Sequence, residues 1–215
     1  MITTMDLLKP TEAAVVACVA LRDVNRAIDE RILPESFFSL SDGRRIVASG
    51  CTLIAFYFDS APRLTSEERL FAVREVGARL RQFHARALAT LVKEDWTVRD
   101  EFLTIDLGPF VQRTLERMER LAAARAMVVS DPQVLGGTPV ICGTRIPVHD
   151  VATASTNASM DHVLAAYPSL NTAKVELATI YAEANPLRGR PRAEGLPPVA
   201  VIVTDRVTPR RRTAG

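Results

Sequence analysis

Cysteine is scarce in this chain, and what is missing around it excludes several classes of protein. The three cysteines, 18, 51 and 142, are odd in number and widely spaced, and no CxxC occurs. Neither a disulfide framework nor a zinc-ribbon pattern is therefore expected, and a reducing cytoplasm fits best. No apolar run approaches the ~18–20 residues that cross a bilayer. The start, MITTMDLLKP, lacks a basic segment followed by an apolar core, so no signal peptide is expected. There is no GxGxxG and no GxxxxGK[ST] to cradle a phosphate. The three histidines, 84, 149 and 162, are scattered, and no Ser/His/Asp spacing or paired carboxylate stands out. His149, beside Asp150, reads as a surface residue rather than a base. The expectation is a protein that is not an enzyme, with no metal and no cofactor. Aromatic residues are few, at 6%, yet 47% of residues are hydrophobic, enough for one large or two small domains.

Net charge is only +2, but it is unevenly placed. Residues 186–215 hold seven arginines against two acids, so everything before them carries −3. A basic tail of this kind suits an acidic partner.

The densest signal is GGTPVICGTRIPV, Gly136 to Val148. Its glycines allow positive φ, and its prolines fix φ and remove donors. Val140–Ile141 and Thr144–Ile146 are short β-favouring pieces between them. A compact turn and short strand feeding a helix are predicted, with Pro147 where a helix can begin at Val148, since proline suits the start of a helix.

The first 60 residues read as two helices and a hairpin. Thr11 is placed to cap the first helix, with Glu12 at its positive end. Cys18-Val19-Ala20 forms the turn. Leu21, Val24, Ile28 and Ile32 share the buried face of the second helix, with Arg22, Asn25, Arg26 and Asp29 opposite. Phe37–Leu40 and Arg44–Ala48 flank Ser41-Asp42-Gly43, a hairpin signal. Helix, turn, helix, hairpin is the plan of a winged helix-turn-helix. Arg22, Asn25 and Arg26 would meet base edges, and Arg44 and Arg45 at the wing tip would meet phosphates. Against this stands a count of six bases and eight acids in that stretch, so a helical domain that does not bind DNA remains open.

Residues 61–127 read as mixed α/β and as a connecting, dimerisation-capable region. Thr52–Phe58 is core as strand or helix. Thr65 and Glu68 form a capping box, and apolar spacing from Leu70 through Leu80 to Leu91 predicts one long helix. Two strands are expected at Trp96–Val98 and Phe102–Leu107, then a helix from Pro109. The two long helices would either pair with a second copy or pack within the chain. In 128–185, three helices follow the Gly/Pro element, Val148–Ser155, Met160–Tyr167 (capped by Ser159) and Ala173–Ala184 (capped by Asn171 or Thr172). Two bases against five acids make this a poor DNA binder. The fold class is thus mainly α with short β elements. In the tail, Val199–Thr204 is a lone strand-like piece suited to strand addition, on another protein or on this chain's own sheet.

GGTPVICGTRIPVHDV, with YPSL, YAEANP and GRPR downstream, resembles a bacterial family of small homeodomain-like domains. These occur as antitoxins beside PIN-fold ribonuclease toxins. The first 60 residues resemble the DNA-binding half of the longer VapB-type members. Cys18 and Asn157 stand where such chains often carry glycine, and Asn185 replaces a frequent histidine. The resemblance implies a homo-oligomeric antitoxin that binds its own promoter DNA and blocks a partner PIN-type ribonuclease toxin. Toxin contact would fall to Val201 and Val203 and to Arg206, Arg210, Arg211 and Arg212. A guanidinium can pair bidentately with the carboxylates that hold Mg²⁺ in such toxins. A stand-alone helix-turn-helix transcriptional regulator is the alternative.

Overall fold

A computed structural model describes residues 2–83 and 85–187. The fold is mainly helical with short strands. In order come β1 (Leu7–Leu8), α1 (Pro10–Ala17), α2 (Leu21–Asp29), β2 (Phe38–Ser39), β3 (Arg45–Val47), α3 (Gly50–Asp59) and α4 (Ser66–Gln82). Then follow β4 (Thr97–Asp100), β5 (Leu103–Asp106), α5 (Gly108–Ala126), β6 (Val128–Val129), β7 (Val140–Ile141), α6 (Val148–Asn157), α7 (Met160–Ala166) and α8 (Thr172–Ala184).

The centre is α3, the TLIAFYF run, which is a helix and buried from Gly50 to Tyr57. Such a run is ambiguous because it has no periodicity; a helix apolar all round must lie inside. Both long helices, α4 and α5, pack on it, as does α1. One hydrophobic cluster therefore runs from Leu8 to Leu121, through the boundary expected near residue 60. A second, built from Ile141, Val148, Val151, Val163, Leu170, Val175 and Ala178, holds the three C-terminal helices together. Ala184 and Ile180, at the end of α8, belong to the first cluster instead, so α8 joins the two cores.

Several local expectations change. The cap of α1 is Lys9, not Thr11; because Pro10 opens the helix, Thr11 lies inside it and its hydroxyl donates to the Ala184 carbonyl, 2.6 Å. Helix α2 stops at Asp29 rather than Ile32. Arg31 takes a left-handed φ of 55°, its N–H bonds the Ile28 carbonyl and the Leu33 N–H reaches back to the Ala27 carbonyl, a left-handed helix stop that folds Ile32 into the core. Helix α4 ends at Gln82, so Leu91 is not on it. Ala85 is left-handed and Leu88–Lys93 is a separate 3-10 turn with Leu91 fully buried. Helix α6 begins at Val148, as expected, with Pro147 as its cap. Asn157 is the last residue of α6 and is followed by extended Ala158, so no left-handed residue is needed there.

Candidate nucleic-acid interface

The site begins with the turn between α1 and α2. Three residues join the helices, and Cys18 has φ 55° and ψ 48°, the left-handed conformation that closes helix C-termini. Its N–H bonds the Val15 carbonyl, and that of Val19 the Ala14 carbonyl. This fixes the start of α2. On its inner face Val24, Ala27 and Ile28 are buried. Fully burying a valine or isoleucine contributes about 1.5–3 kcal/mol, which seats α2 against the core and leaves the 22, 25, 26, 29 stripe outward.

The hairpin then meets that stripe. Phe38 pairs with Ile46 and Ser39 with Arg45 across β2 and β3. Gly43, at φ 73°, turns the chain between them; a side chain there would be strained whatever the space around it. β1 extends the sheet on the other side of β3, through Leu7–Val47 and Leu8–Ile46. Two residues long, β1 offers no alternation to read, and the sequence did not signal it.

Arg44 leaves the hairpin and reaches α2. Its guanidinium donates to Asn25 Oδ1 at 3.0 Å and grips Asp29 through both terminal nitrogens, at 3.2 and 2.7 Å. Arg26 pairs with Glu30 at 2.9 Å and lies 6.0 Å from the centre of the Phe58 ring. The Glu30 hydrogen bond and charge hold the Arg26 guanidinium above its ordinary pKa. Arg22 projects furthest, 89% exposed, with Asp23 3.8 Å away. Four of the five residues expected to face DNA, Arg22, Asn25, Arg26 and Arg44, therefore share one surface. Arg45 does not join them: it lies in the ladder opposite Ser39, and its guanidinium donates to the Arg44 carbonyl.

The carboxylates matter as much as the arginines. Asp23, Asp29 and Glu30 neutralise this face and hold its guanidinium groups in place. These pairs are exposed, and exposed pairs are worth only about 0–1 kcal/mol. A phosphate or a base edge can take over a guanidinium at little cost. The partnership of Arg44 with Asp29 spans fifteen residues, so no local spacing announces it.

Helices α1, α5 and α8 are tied to one another. Besides the Thr11–Ala184 bond between α1 and α8, Arg120 of α5 meets Glu176 of α8 and Arg125 of α5 meets Glu12 of α1, each at 2.9 Å. Glu12 lies in the first turn of α1, at its positive end as expected, and is also buried, 5% exposed, where it accepts the Lys9 N–H at 2.8 Å. His149 is half-buried and ties α6 to the end of α8 through the Asn185 carbonyl, 2.8 Å. Among the described residues no three His, Cys, Asp or Glu side chains gather as metal ligands. No helix among them is long and apolar enough to cross a membrane. Val201, Val203, Arg206, Arg210, Arg211 and Arg212 lie outside the described residues.

Residues 128–182, the β6–β7 and three-helix unit, match a family described as "protein of unknown function", DUF433. The chain is 57% identical over 212 residues to the uncharacterized protein y4eO of Sinorhizobium fredii, covering 98% of this chain and 96% of that one. No solved structure matches it.

Proposed function

We propose that this chain, which belongs to one family with Sinorhizobium fredii y4eO and carries a DUF433 unit at 128–182, is a cytoplasmic VapB-type antitoxin. It works by binding, not by catalysis. A winged helix-turn-helix formed by α1, α2 and the β2–β3 hairpin reads its own promoter. The basic tail blocks a partner PIN-type ribonuclease. The observation that carries the DNA-reading half is the gathering of Arg22, Asn25, Arg26 and Arg44 on one exposed surface, with the hairpin arginine bonded to the helix. Arg22, Asn25 and Arg26 are the base readers in this scheme, and Arg44 positions the phosphate backbone. Arg45 contributes charge from the far side of β3. The tail half is supported by composition, +5 after residue 185 against −3 before it.

A gel shift on the region upstream of the gene tests the reading. The Arg22→Ala/Arg26→Ala variant is expected to bind that region far more weakly than wild type while keeping its residual affinity for unrelated DNA. Equal affinity of the two proteins would remove α2 as the reading helix. A stand-alone regulator would use the same face; a PIN-type reading frame beside the gene separates the two.

A further inference from the structure

A groove of about 500 Å³ runs along α1 and the α1–α2 turn and is closed on one side by the end of α8. Its walls are mostly aliphatic: Ala14, Val15, Val19, Ala20, Leu21 and Pro186. Thr11 also lines it, but its hydroxyl is already bonded to the Ala184 carbonyl. Leu21 is the telling residue. Helical spacing sets it on the inner face of α2 with Val24 and Ile28, yet it is 42% exposed while those two are buried. Val15 and Val19 are only half-buried. Among the described residues nothing completes the cover of these three side chains, and apolar surface gathered in a groove favours an apolar occupant.

The chain itself supplies one. The described residues stop at Leu187, one position past Pro186 in the groove wall. Next in sequence come RGRPRAEG, residues 188–195, and LPPVAVIV, residues 196–203. The second stretch carries no charge and matches the aliphatic groove. The first carries three arginines and follows closely on Glu183, which is exposed at the groove rim and makes no ion pair among the described residues. Eight residues of a glycine-containing linker have a root-mean-square span of roughly 14–17 Å, enough to turn back to a groove that begins at Pro186. An intramolecular partner acts at an effective concentration of the millimolar order, so a weak apolar contact suffices to fill the groove.

We propose that residues 196–203 of the same chain dock in this groove and cover Val15, Val19 and Leu21. Val201 and Val203, assigned above to toxin contact, are then held against α1 until a partner takes them. That consequence rests on the proposed function. The docking does not, and its test involves neither toxin nor DNA.

Cys18 lines the groove and Cys142 does not, and both are exposed. Their thiols therefore report occupancy against an internal reference. In the full chain Cys18 should react with a thiol reagent roughly 3- to 10-fold more slowly than in the Val201→Asp/Ile202→Asp variant, because the tethered segment occupies the groove most of the time. The Cys142 rate should be the same in both proteins. A second variant is independent of those substitutions. In a Cys142→Ser background under mild oxidation, Ile202→Cys should form an intramolecular disulfide with Cys18 about tenfold or more faster than Thr213→Cys does, whereas tether length alone gives only about a two-fold difference. Equal Cys18 rates in the two proteins, or cross-linking at the ratio that tether length gives, would overturn the proposal. Slowing of Cys18 that grows with protein concentration would put a second copy in the groove and overturn it as well.

Discussion

Arg44, on the β2–β3 hairpin, donates to Asn25, on the outer face of α2, at 3.0 Å, and so joins two elements nineteen residues apart. In the proposed function the hairpin and the helix meet DNA as one surface. Losing Arg44 should therefore have two separable effects. Arg44→Ala should destabilise the fold by no more than about 1 kcal/mol, because its pair with Asp29 is exposed. DNA affinity should fall equally for cognate and unrelated sequences, with the salt slope shallower by about 1. Arg22→Ala should instead weaken cognate binding by ~1–3 kcal/mol and relax specificity at one base. Fluorescence anisotropy at several salt concentrations measures both.

Cys18 occupies a left-handed turn without being glycine. That conformation costs an ordinary residue about 1–2 kcal/mol, while glycine costs about 0.5–1 kcal/mol of chain entropy. Cys18→Gly should be neutral or stabilising by up to about 1 kcal/mol. Urea denaturation reads this directly, and a loss of stability would mean that the thiol packs usefully at the turn.

Cys51, inside α3, is fully buried, and burial pushes its thiol up to about 12. It stays protonated in the fold. Cys18 and Cys142 are exposed. At neutral pH a thiol reagent should titrate two cysteines in the native protein and the third only on unfolding. The sign of the pH effect follows. The unfolded thiol ionises near its ordinary value of 9.0 while the folded one does not, so this contribution is complete below pH 9 and is lost as pH rises above it. Cys51→Ala should flatten that alkaline decline in a denaturation series between pH 8 and 11.

The capping box of α4 acts at the other end of the pH scale. Thr65 accepts the Glu68 N–H, and Glu68 accepts both the N–H and the hydroxyl of Thr65. Those hydrogen bonds hold the Glu68 carboxyl below its ordinary range. Its contribution is present above the ordinary carboxylate range and disappears as pH falls through the lowered value. Thr65→Ala should cost about 1 kcal/mol at neutral pH, and Glu68→Gln should show a smaller loss on acidification than wild type.

What the sequence made legible was local. Thr65 and Glu68 are three residues apart and bond as expected. Asp42-Gly43 announces a turn that needs positive φ, and the turn is there. Ser159 and Asn171 cap α7 and α8 through side chains that spacing alone identifies. The rest depends on distance in the chain. Asp29 waits for Arg44, Glu12 for Arg125, and Thr11 for Ala184, across gaps that no periodicity spans. Leu91 fits the apolar rhythm of α4 because it is buried, yet it reaches the core from a separate turn after a left-handed Ala85. Periodicity reports burial, and it cannot tell one continuous helix from two pieces that pack on the same core.

The central claim is that DNA reading and toxin blocking lie in separable parts of one chain. Co-expression of the partner PIN-type ribonuclease that the proposal requires with either the full chain or a chain ending at Leu187 tests it most directly, with growth as the readout. The shorter chain keeps both hydrophobic cores and every contact of Asn185. The full chain should restore growth, and the shorter one should fail to do so while still shifting upstream DNA. Full protection by the shorter chain would contradict the account and move the blocking surface onto the acidic 128–185 unit.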